Sequence, residues 1–386
     1  MKASLLKKLA LATSIGLASY FCHIPSTRSV QEVQYNNYEN LEDKLGAYYT
    51  TEEYEKRMGG IVKENPKIAS MKKIGESWHK RPIYALKISD ENENIEGTTK
   101  KEPQIIIIAQ QHAKELIGGV TAIATAEYLT KNYSTDKKVK SYVDNNEIYI
   151  VPLANPDGLA IIEGSLKQIT DAEKAKKILD QPLTELNEET KLKNTWWRKN
   201  ARDNNEDGII LEVHDGVDLN RNYSTGWTNG ESYADNYSGP HPFSEPETKA
   251  IKGLAESLDN LAITVDLHSY LGMIMYPPGY EQGGTKQEEL FKKIAKEMVK
   301  RQPYKKYEIK RLNSLYGSTV GGSFTDWAYF EHNALSLVIE VYKTEPQPFP
   351  DIVNFNPPQQ EISKVIENVI PMILYLFEIS DSLKNP

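Results

Sequence analysis

Short apolar runs alternate with longer stretches of helical periodicity along most of this chain of 386 residues. Four of the runs are mostly apolar, as in strands buried on both faces of a sheet. They lie at 104–108, 147–153, 262–267 and 334–341. Helical patterns cover 51–65, 116–129, 244–258, 286–300 and 362–379. Strands that alternate with helices predict an α/β fold with a mixed, mostly parallel central sheet and helices on both faces, in a single domain over 48–380.

Two further patterns lie outside this alternation. The short apolar runs at 68–74 and 83–89 flank a turn and predict a β-hairpin. Asn155-Pro-Asp-Gly158 predicts a turn after the second buried strand. The charged residues 159–194 carry helical spacing and predict a helical surface insertion on the catalytic domain.

The first residues of the chain differ in character from the rest. Lysines precede an apolar run that ends at Cys22 and is short for a membrane span, so residues 1–22 are expected to be a signal peptide or an N-terminal anchor. The polar residues 23–47 then predict a tether. We therefore expect a secreted or cell-envelope protein, attached to a membrane only through such an anchor. Cys22 is the only cysteine, which excludes an internal disulfide, and the net charge of -8 argues against nucleic acid as the main partner.

Residues with metal-binding chemistry occur where the predicted strands end. His112 and Glu115 follow the first buried strand, His268 ends the third and Glu340 lies near the end of the fourth. Ligand sites in open α/β sheets form at this edge, and imidazole together with carboxylate suits zinc. The pair at 112 and 115, taken alone, is a weak metal signal and better fits a helix that begins with an acidic residue in its first turn.

Several motifs occur in a fixed order along the chain. They are Asn155-Pro-Asp-Gly158, Gly216-Val-Asp-Leu-Asn-Arg-Asn222, Asp266-Leu-His-Ser-Tyr270, Tyr316 ahead of Asp326-Trp327, and Glu340. Together with His112 and Glu115 they resemble the zinc metallocarboxypeptidase family typified by carboxypeptidase A, over about residues 48–378. The resemblance implies one catalytic zinc per chain, held by His112, Glu115 and His268, with a position left for water. It also implies that Asp218 holds the second nitrogen of His112.

The resemblance further implies how the reaction is catalysed. Glu340 would be the general base that activates the zinc-bound water and later the proton donor. A cation must stabilise the oxyanion, and the family supplies an arginine after a tryptophan. Here the run Trp197-Arg-Lys-Asn-Ala-Arg202 is one residue longer than the family pattern. Arg202 is therefore expected to be this cation, with Arg198 in reserve.

Substrate recognition is implied by a third group of matches. Asn220 and Arg221 match the pair that binds the free α-carboxylate, which suits the planar fork of arginine. Tyr316 matches the tyrosine that closes over the substrate. Thr325 occupies the pocket position that is acidic in members cutting after Lys or Arg. A preference for neutral, apolar or aromatic C-terminal residues follows.

One acidic segment suggests a second ion. Asp203, Asn205 and Asp207 carry oxygens at alternate positions before Gly208, as in the first half of a calcium loop, and Glu212 or Asp215 could add to them. The twelfth position, where a bidentate glutamate is expected, holds His214. A solvated acidic turn is the alternative interpretation.

The sequence therefore predicts an enzyme that hydrolyses the C-terminal bond of peptides and proteins, acting as a monomer. Two alternatives are a peptidoglycan stem-peptide hydrolase on the same scaffold and, from another class, a non-catalytic peptide-binding protein. The second would require loss of a ligand or of the base, and all four residues are present.

Overall fold

A computed structural model of the chain describes residues 48–90, 92, 94–95, 97–166, 197–210, 214–315, 319–343 and 355–383. The chain divides into two units, Met1–Glu39 and Asn40–Pro386, and every described residue belongs to the second. The expected signal or anchor, the tether and most of the predicted insertion (167–194) lie outside the described residues. Among the described helices, none combines the length and apolar character that a membrane crossing requires.

Eight strands form one sheet in the order β1-β2-β4-β3-β5-β8-β6-β7. The strands are β1 (Ala69–Glu76), β2 (Pro82–Ile88), β3 (Gln104–Ala109), β4 (Glu147–Val151), β5 (Leu261–His268), β6 (Leu271–Tyr276), β7 (Glu308–Arg311) and β8 (Leu335–Lys343). The α-helices are α1 (Thr51–Glu64), α2 (Leu116–Asn132), α3 (Lys137–Asp144), α4 (Pro156–Glu163), α5 (Pro246–Glu256), α6 (Glu288–Lys300), α7 (Phe324–His332) and α8 (Gln359–Leu383).

The centre of the sheet is parallel. Strands β4, β3, β5 and β8 run in one direction, whereas β2 and β6 pair antiparallel on either side of them. The carboxyl ends of β3, β5 and β8 therefore meet at one edge. This arrangement confirms the predicted mixed, mostly parallel α/β fold, and the β1/β2 hairpin is also present.

Helices cover both faces of the sheet because successive side chains of a buried strand point to opposite sides. In β3, Ile105 and Ile107 pack in a core that includes residues of α2, α6 and α8. Ile106 and Ile108 pack in a second core with residues of α5 and α7. All four isoleucines are fully buried, which explains why the run contains no polar position.

The segment after β4 differs from the prediction. Asn155 does not simply close a turn: its side chain accepts a hydrogen bond from the Gly158 amide and caps α4, with Pro156 in the first helical turn. The whole of α4 is buried, so residues 159–163 belong to the core and the predicted surface insertion does not begin at 159. The apolar residues Leu159, Ile161 and Ile162 explain this burial.

Candidate active site

The end of β3 creates the turn that carries the first two candidate ligands. Gln110 follows the strand with a φ of 54°, in the left-handed region, and the Tyr54 hydroxyl donates to its side-chain oxygen at 2.9 Å. The chain then turns into α2, which begins at Leu116. His112 and Glu115 thus lie in the connection, next to the end of β5, where His268 is the last residue.

The ligand atoms of His112, Glu115 and His268 lie within 4.8 Å of one another, and all three residues are buried. Glu115 contacts both imidazoles: Oε1 lies 2.8 Å from His112 Nδ1, and Oε2 lies 2.8 Å from His268 Nδ1. The two Nδ1 atoms are 3.1 Å apart. The structure therefore brings His268 to the His112 and Glu115 pair, which lies more than 150 positions earlier in the sequence.

The outer nitrogens of both imidazoles face carboxylates. His112 Nε2 lies 3.1 Å from Asp218 Oδ1, and His268 Nε2 lies 2.8 Å from Asp266 Oδ2. An imidazole that donates through Nε2 presents a lone pair at Nδ1. Two lone pairs and a carboxylate then meet at one point, an arrangement that a divalent cation stabilises. The His₂Glu set consequently fits zinc.

The charged residues of the candidate metal site shift one another's pKa values. Burial alone would raise the pKa of Glu115, but His112 and His268 hold it well below its usual range. Burial favours neutral His268, whereas Asp266 and Glu115 raise its pKa well above the usual value. Burial also opposes ionisation of Asp218, and Arg198 keeps the pKa of that carboxyl low. The imidazoles and the Arg198 guanidinium thus favour the charged forms of Glu115 and Asp218.

Glu340 lies beside this group on β8. Burial and the nearby Glu115 carboxylate raise the pKa of Glu340 to about 7. Its Oε2 is buried and has no hydrogen-bond partner within the described part of the chain. Strand β8 continues to Lys343. Glu340 therefore lies inside the strand, three residues before its end, and not at the end of the apolar run.

The structure places the two candidate arginines in different surroundings. Arg198 lines the pocket and donates to Asp218 Oδ2 through Nε at 3.0 Å and Nη2 at 2.8 Å. Its Nη1 lies 3.7 Å from Glu115 Oε1. Arg202 instead pairs with buried Glu245 at 2.9 Å and lies over the Trp78 ring. Arg198 is among the described residues that line the pocket and Arg202 is not, so the structure separates the two candidates while the oxyanion role of either stays a prediction.

The turn Leu219–Arg221 places Asn220 and Arg221 at the pocket wall. Asn220 Oδ1 accepts from the Phe324 amide at 2.8 Å, which directs its amino group towards the histidines. Gly322 supports this turn from outside, with a φ of +72° and a backbone so close that a Cβ would lie 2.0 Å from the Arg221 carbonyl oxygen. A side chain at 322 would displace Arg221.

A cavity of about 310 Å³ opens next to these residues. Its apolar lining is formed by Leu271, Met275, Leu312, Leu315, Val320 and Val338, with Tyr270 and Phe355 also present. Thr325 is fully buried and is not one of the described lining residues, and its role in the specificity pocket stays a prediction. Tyr316 lies outside the described residues.

The side chains of the acidic turn at 203–208 bond to its own backbone. Asp203 accepts from the amides of Asp207 and Gly208, Asn205 accepts from Asp207, and Asp207 accepts from Ile209. Such bonds cap a turn without any ion. The calcium site remains a prediction.

Two residues near the ligands were not assigned by sequence. Asp266 bonds His268, and the signal available was its position two residues earlier on the same face of a strand. Asn356 accepts from the Ile117 amide at 3.0 Å and donates to the Lys114 carbonyl at 2.8 Å, so it caps the helix that follows Glu115. No sequence pattern links positions 240 residues apart in this manner.

A family model for zinc carboxypeptidases, peptidase family M14, matches residues 54–371. The match covers most of the chain, and the protein belongs to the zinc carboxypeptidase family. Carboxypeptidase A4 of Mus musculus is 30% identical over 312 residues, or 78% of this chain and 64% of that protein. Carboxypeptidase A2 of Rattus norvegicus is 28% identical over 291 residues, or 73% of this chain and 60% of that protein. The chain thus spans less than two thirds of the length of these curated relatives.

The fold is also shared with solved structures. The crystal structure of thrombin activatable fibrinolysis inhibitor superimposes with a TM-score of 0.70 at 21% identity, covering 88% of this chain and 75% of that one. At this identity the likeness concerns the fold alone.

Proposed function

We propose that this protein is a zinc-dependent carboxypeptidase that removes the C-terminal residue of peptides and proteins. The observation that carries the proposal is one cavity that is lined by the three candidate ligands, Glu340, and the pair Asn220 and Arg221. Family membership supports a peptide hydrolase, and the pair supplies the exopeptidase character.

Recognition of a free carboxylate is the role of Asn220 and Arg221. Asn220 Nδ2 lies 2.9 Å from His268 Nε2, so a carboxylate bound there is next to the metal group. A guanidinium fork binds a carboxylate in a defined orientation. The last peptide bond, and no other, is then held beside Glu340.

Bound zinc would supply a Lewis acid that polarises the scissile carbonyl and lowers the pKa of water. Glu340 takes a proton from the attacking water on its free Oε2. It then delivers that proton to the departing amine as the C–N bond breaks. Arg198 places its guanidinium near the developing negative charge on the carbonyl oxygen. The products are a shortened peptide and a free amino acid.

The apolar cavity determines which C-terminal residues are preferred. Among the residues that line it, the carboxylates are Glu115, a candidate metal ligand, and Glu340, the candidate base. Within the described part of the chain, no other lining carboxylate is therefore left to pair with a basic side chain of the substrate. Burying a large apolar side chain gains about 1.5–3 kcal/mol. Leucine or phenylalanine should consequently be favoured over lysine or glutamate.

The pattern of residues 1–22 supports export from the cytoplasm, with the enzyme acting as a monomer on substrates in the medium or the cell envelope. A calcium ion at Asp203 is not part of this proposal.

The test is hydrolysis of blocked dipeptides ending in Phe, Leu, Lys and Glu, together with one ending in phenylalanine amide. We expect cleavage of the Phe and Leu substrates, loss of activity with a chelator, recovery with zinc and no cleavage of the amide. Cleavage of the amide at a comparable rate would contradict the carboxylate role, and fastest cleavage at Lys would contradict the pocket assignment. Activity on cell-wall stem peptides but not on these dipeptides would favour the peptidoglycan alternative.

A further inference from the structure

Asp266 accepts hydrogen bonds from three parts of the site through a single oxygen. Its Oδ2 lies 2.8 Å from His268 Nε2, 2.8 Å from Gln111 Nε2 and 3.2 Å from Asn220 Nδ2. The residue is fully buried in β5 and shares a strand face with His268, since the two are separated by two positions. One carboxylate thus contacts a candidate ligand, the neighbour of another ligand and a substrate-binding residue.

The orientation of both amides that contact Asp266 is fixed from their other ends. Asn220 Oδ1 accepts from the Phe324 amide at 2.8 Å, and Gln111 Oε1 accepts from the Tyr223 hydroxyl at 3.1 Å. The amino group of each therefore points to Asp266. The Asn220 Nδ2 atom also lies 2.9 Å from His268 Nε2, so its amino group is held between Asp266 and a candidate ligand.

The buried carboxylate also has a cost. Its Oδ1 has no hydrogen-bond partner within the described residues. A buried polar atom without a partner costs about 1–3 kcal/mol. The carboxylate is therefore expected to be kept for the three hydrogen bonds that its other oxygen accepts at the site.

We propose that Asp266 is a positioning residue that raises zinc affinity through His268 and holds Asn220 ready for the substrate carboxylate. The contact with His268 Nε2 fixes the tautomer and the ring orientation in which Nδ1 faces Glu115 and His112. The contact with Asn220 fixes the orientation of the amide that is proposed to bind the substrate carboxylate. This inference rests on the proposed function for its second part, whereas its first part concerns metal binding alone.

The test uses Asp266→Asn, which keeps the size of the side chain and removes the charge. Zinc dissociation constants are measured by competition with a chromogenic chelator, without substrate. Loss of a carboxylate partner to a ligating histidine typically weakens metal binding by about 10–100-fold, and we expect a loss in that range. At saturating zinc, KM for a blocked dipeptide ending in Phe should rise about fivefold, the effect of one hydrogen bond of roughly 1 kcal/mol.

The matched control is Thr264→Val, two residues earlier on the same face of β5. Thr264 is fully buried and its hydroxyl bonds Ser336 at 2.6 Å, remote from the ligands along the strand. The Thr264→Val substitution should lower Tm without changing zinc affinity or KM. Zinc affinity of Asp266→Asn within twofold of the wild type would overturn the metal part, and unchanged KM would overturn the Asn220 part. Wild-type protein that binds zinc tightly but cleaves no C-terminal residue would instead refute the proposed function.

Discussion

His268 and Glu340 are direct partners in the parallel pairing of β5 and β8. The candidate metal ligand and the candidate base are therefore held in register by sheet hydrogen bonds and do not depend on a loop. Met273 of β6 pairs with Glu340 from the other side. A residue between two strands has little freedom to move, which suits a group that must transfer protons at one fixed place.

Glu340→Gln should abolish most activity without affecting the fold. The amide cannot accept the proton from water, and general acid–base catalysis contributes about 10²–10⁴ to kcat. We expect a fall in kcat of this size with zinc content and Tm close to those of the wild type. Glu308→Gln is the matched control, because Glu308 is a solvent-exposed strand residue paired with Lys310 and Lys343. If Glu340→Gln kept more than a tenth of kcat, another residue would have to be the base.

Arg198→Ala and Arg202→Ala should differ in what they lose. Removing an oxyanion donor costs about 10²–10³ in kcat, and we expect this for Arg198→Ala at saturating zinc. Arg202→Ala should stay within about threefold of wild-type kcat but lose roughly 1–3 kcal/mol of stability, because buried Glu245 loses a partner. Steady-state kinetics and urea denaturation of both variants provide the measurement. The opposite pattern would restore the assignment made from sequence.

Leu312→Asp should change the preferred C-terminal residue. Leu312 lines the cavity, is partly exposed and lies in a short turn, so a charge there can be tolerated. An acid in the cavity attracts a basic side chain, and we expect the Lys/Phe ratio of kcat/KM to rise at least about tenfold, or 1.4 kcal/mol. Leu312→Ala is the control for lost volume and should lower the rate for Phe without raising it for Lys. An unchanged ratio in Leu312→Asp would place the specificity cavity elsewhere.

Asp326, which is not one of the candidate metal-site residues, should make the free energy of unfolding depend on pH. Burial raises the pKa of Asp326 to about 7, although the Gly279 and Tyr280 amides donate to its carboxylate. An aspartate in the unfolded chain has a pKa of about 3.9. Between pH 4 and pH 7, roughly, Asp326 therefore carries a proton in the folded state but not in the unfolded state. Stability from this group is complete below about pH 4 and is lost as pH rises through about 7.

The comparison with Asp326→Asn isolates this effect, because both proteins keep the same metal ligands. From pH 5 to pH 7 the stability of the wild type should fall by about 2 kcal/mol relative to the variant, at up to roughly 1.4 kcal/mol per pH unit. Urea denaturation at several pH values measures the difference. Parallel stability curves would show that Asp326 is not protonated in the folded protein at pH 5.

Strand β3 was predictable because burial on both faces leaves no polar position in Ile105–Ile108, and the other central strands were predictable because their runs are mostly apolar. The position of the site followed from the same fact, since parallel strands end at one edge. Strand β6 was missed, since Gly272 and the following Pro277 and Pro278 weaken its pattern. Helix α7 was missed because nine residues rich in aromatic side chains give too little periodicity.

The surroundings of Arg202 and Thr325 could not be predicted from the sequence for a different reason. Counting along Trp197 to Arg202 could not show that Glu245, 43 positions later, binds Arg202. The full burial of Thr325 also depends on how α7 packs in the second core, which local sequence does not specify. Side chains whose neighbours come from distant segments need the tertiary structure.

The central claim is that one zinc ion is held by His112, Glu115 and His268. Anomalous diffraction from crystals of the zinc-loaded protein, collected on both sides of the zinc absorption edge, tests it most directly. The account predicts a single strong peak bonded to Nδ1 of both histidines and to a carboxylate oxygen of Glu115, at about 2.0–2.2 Å. No peak at this position, or a peak bonded through other side chains, would contradict it.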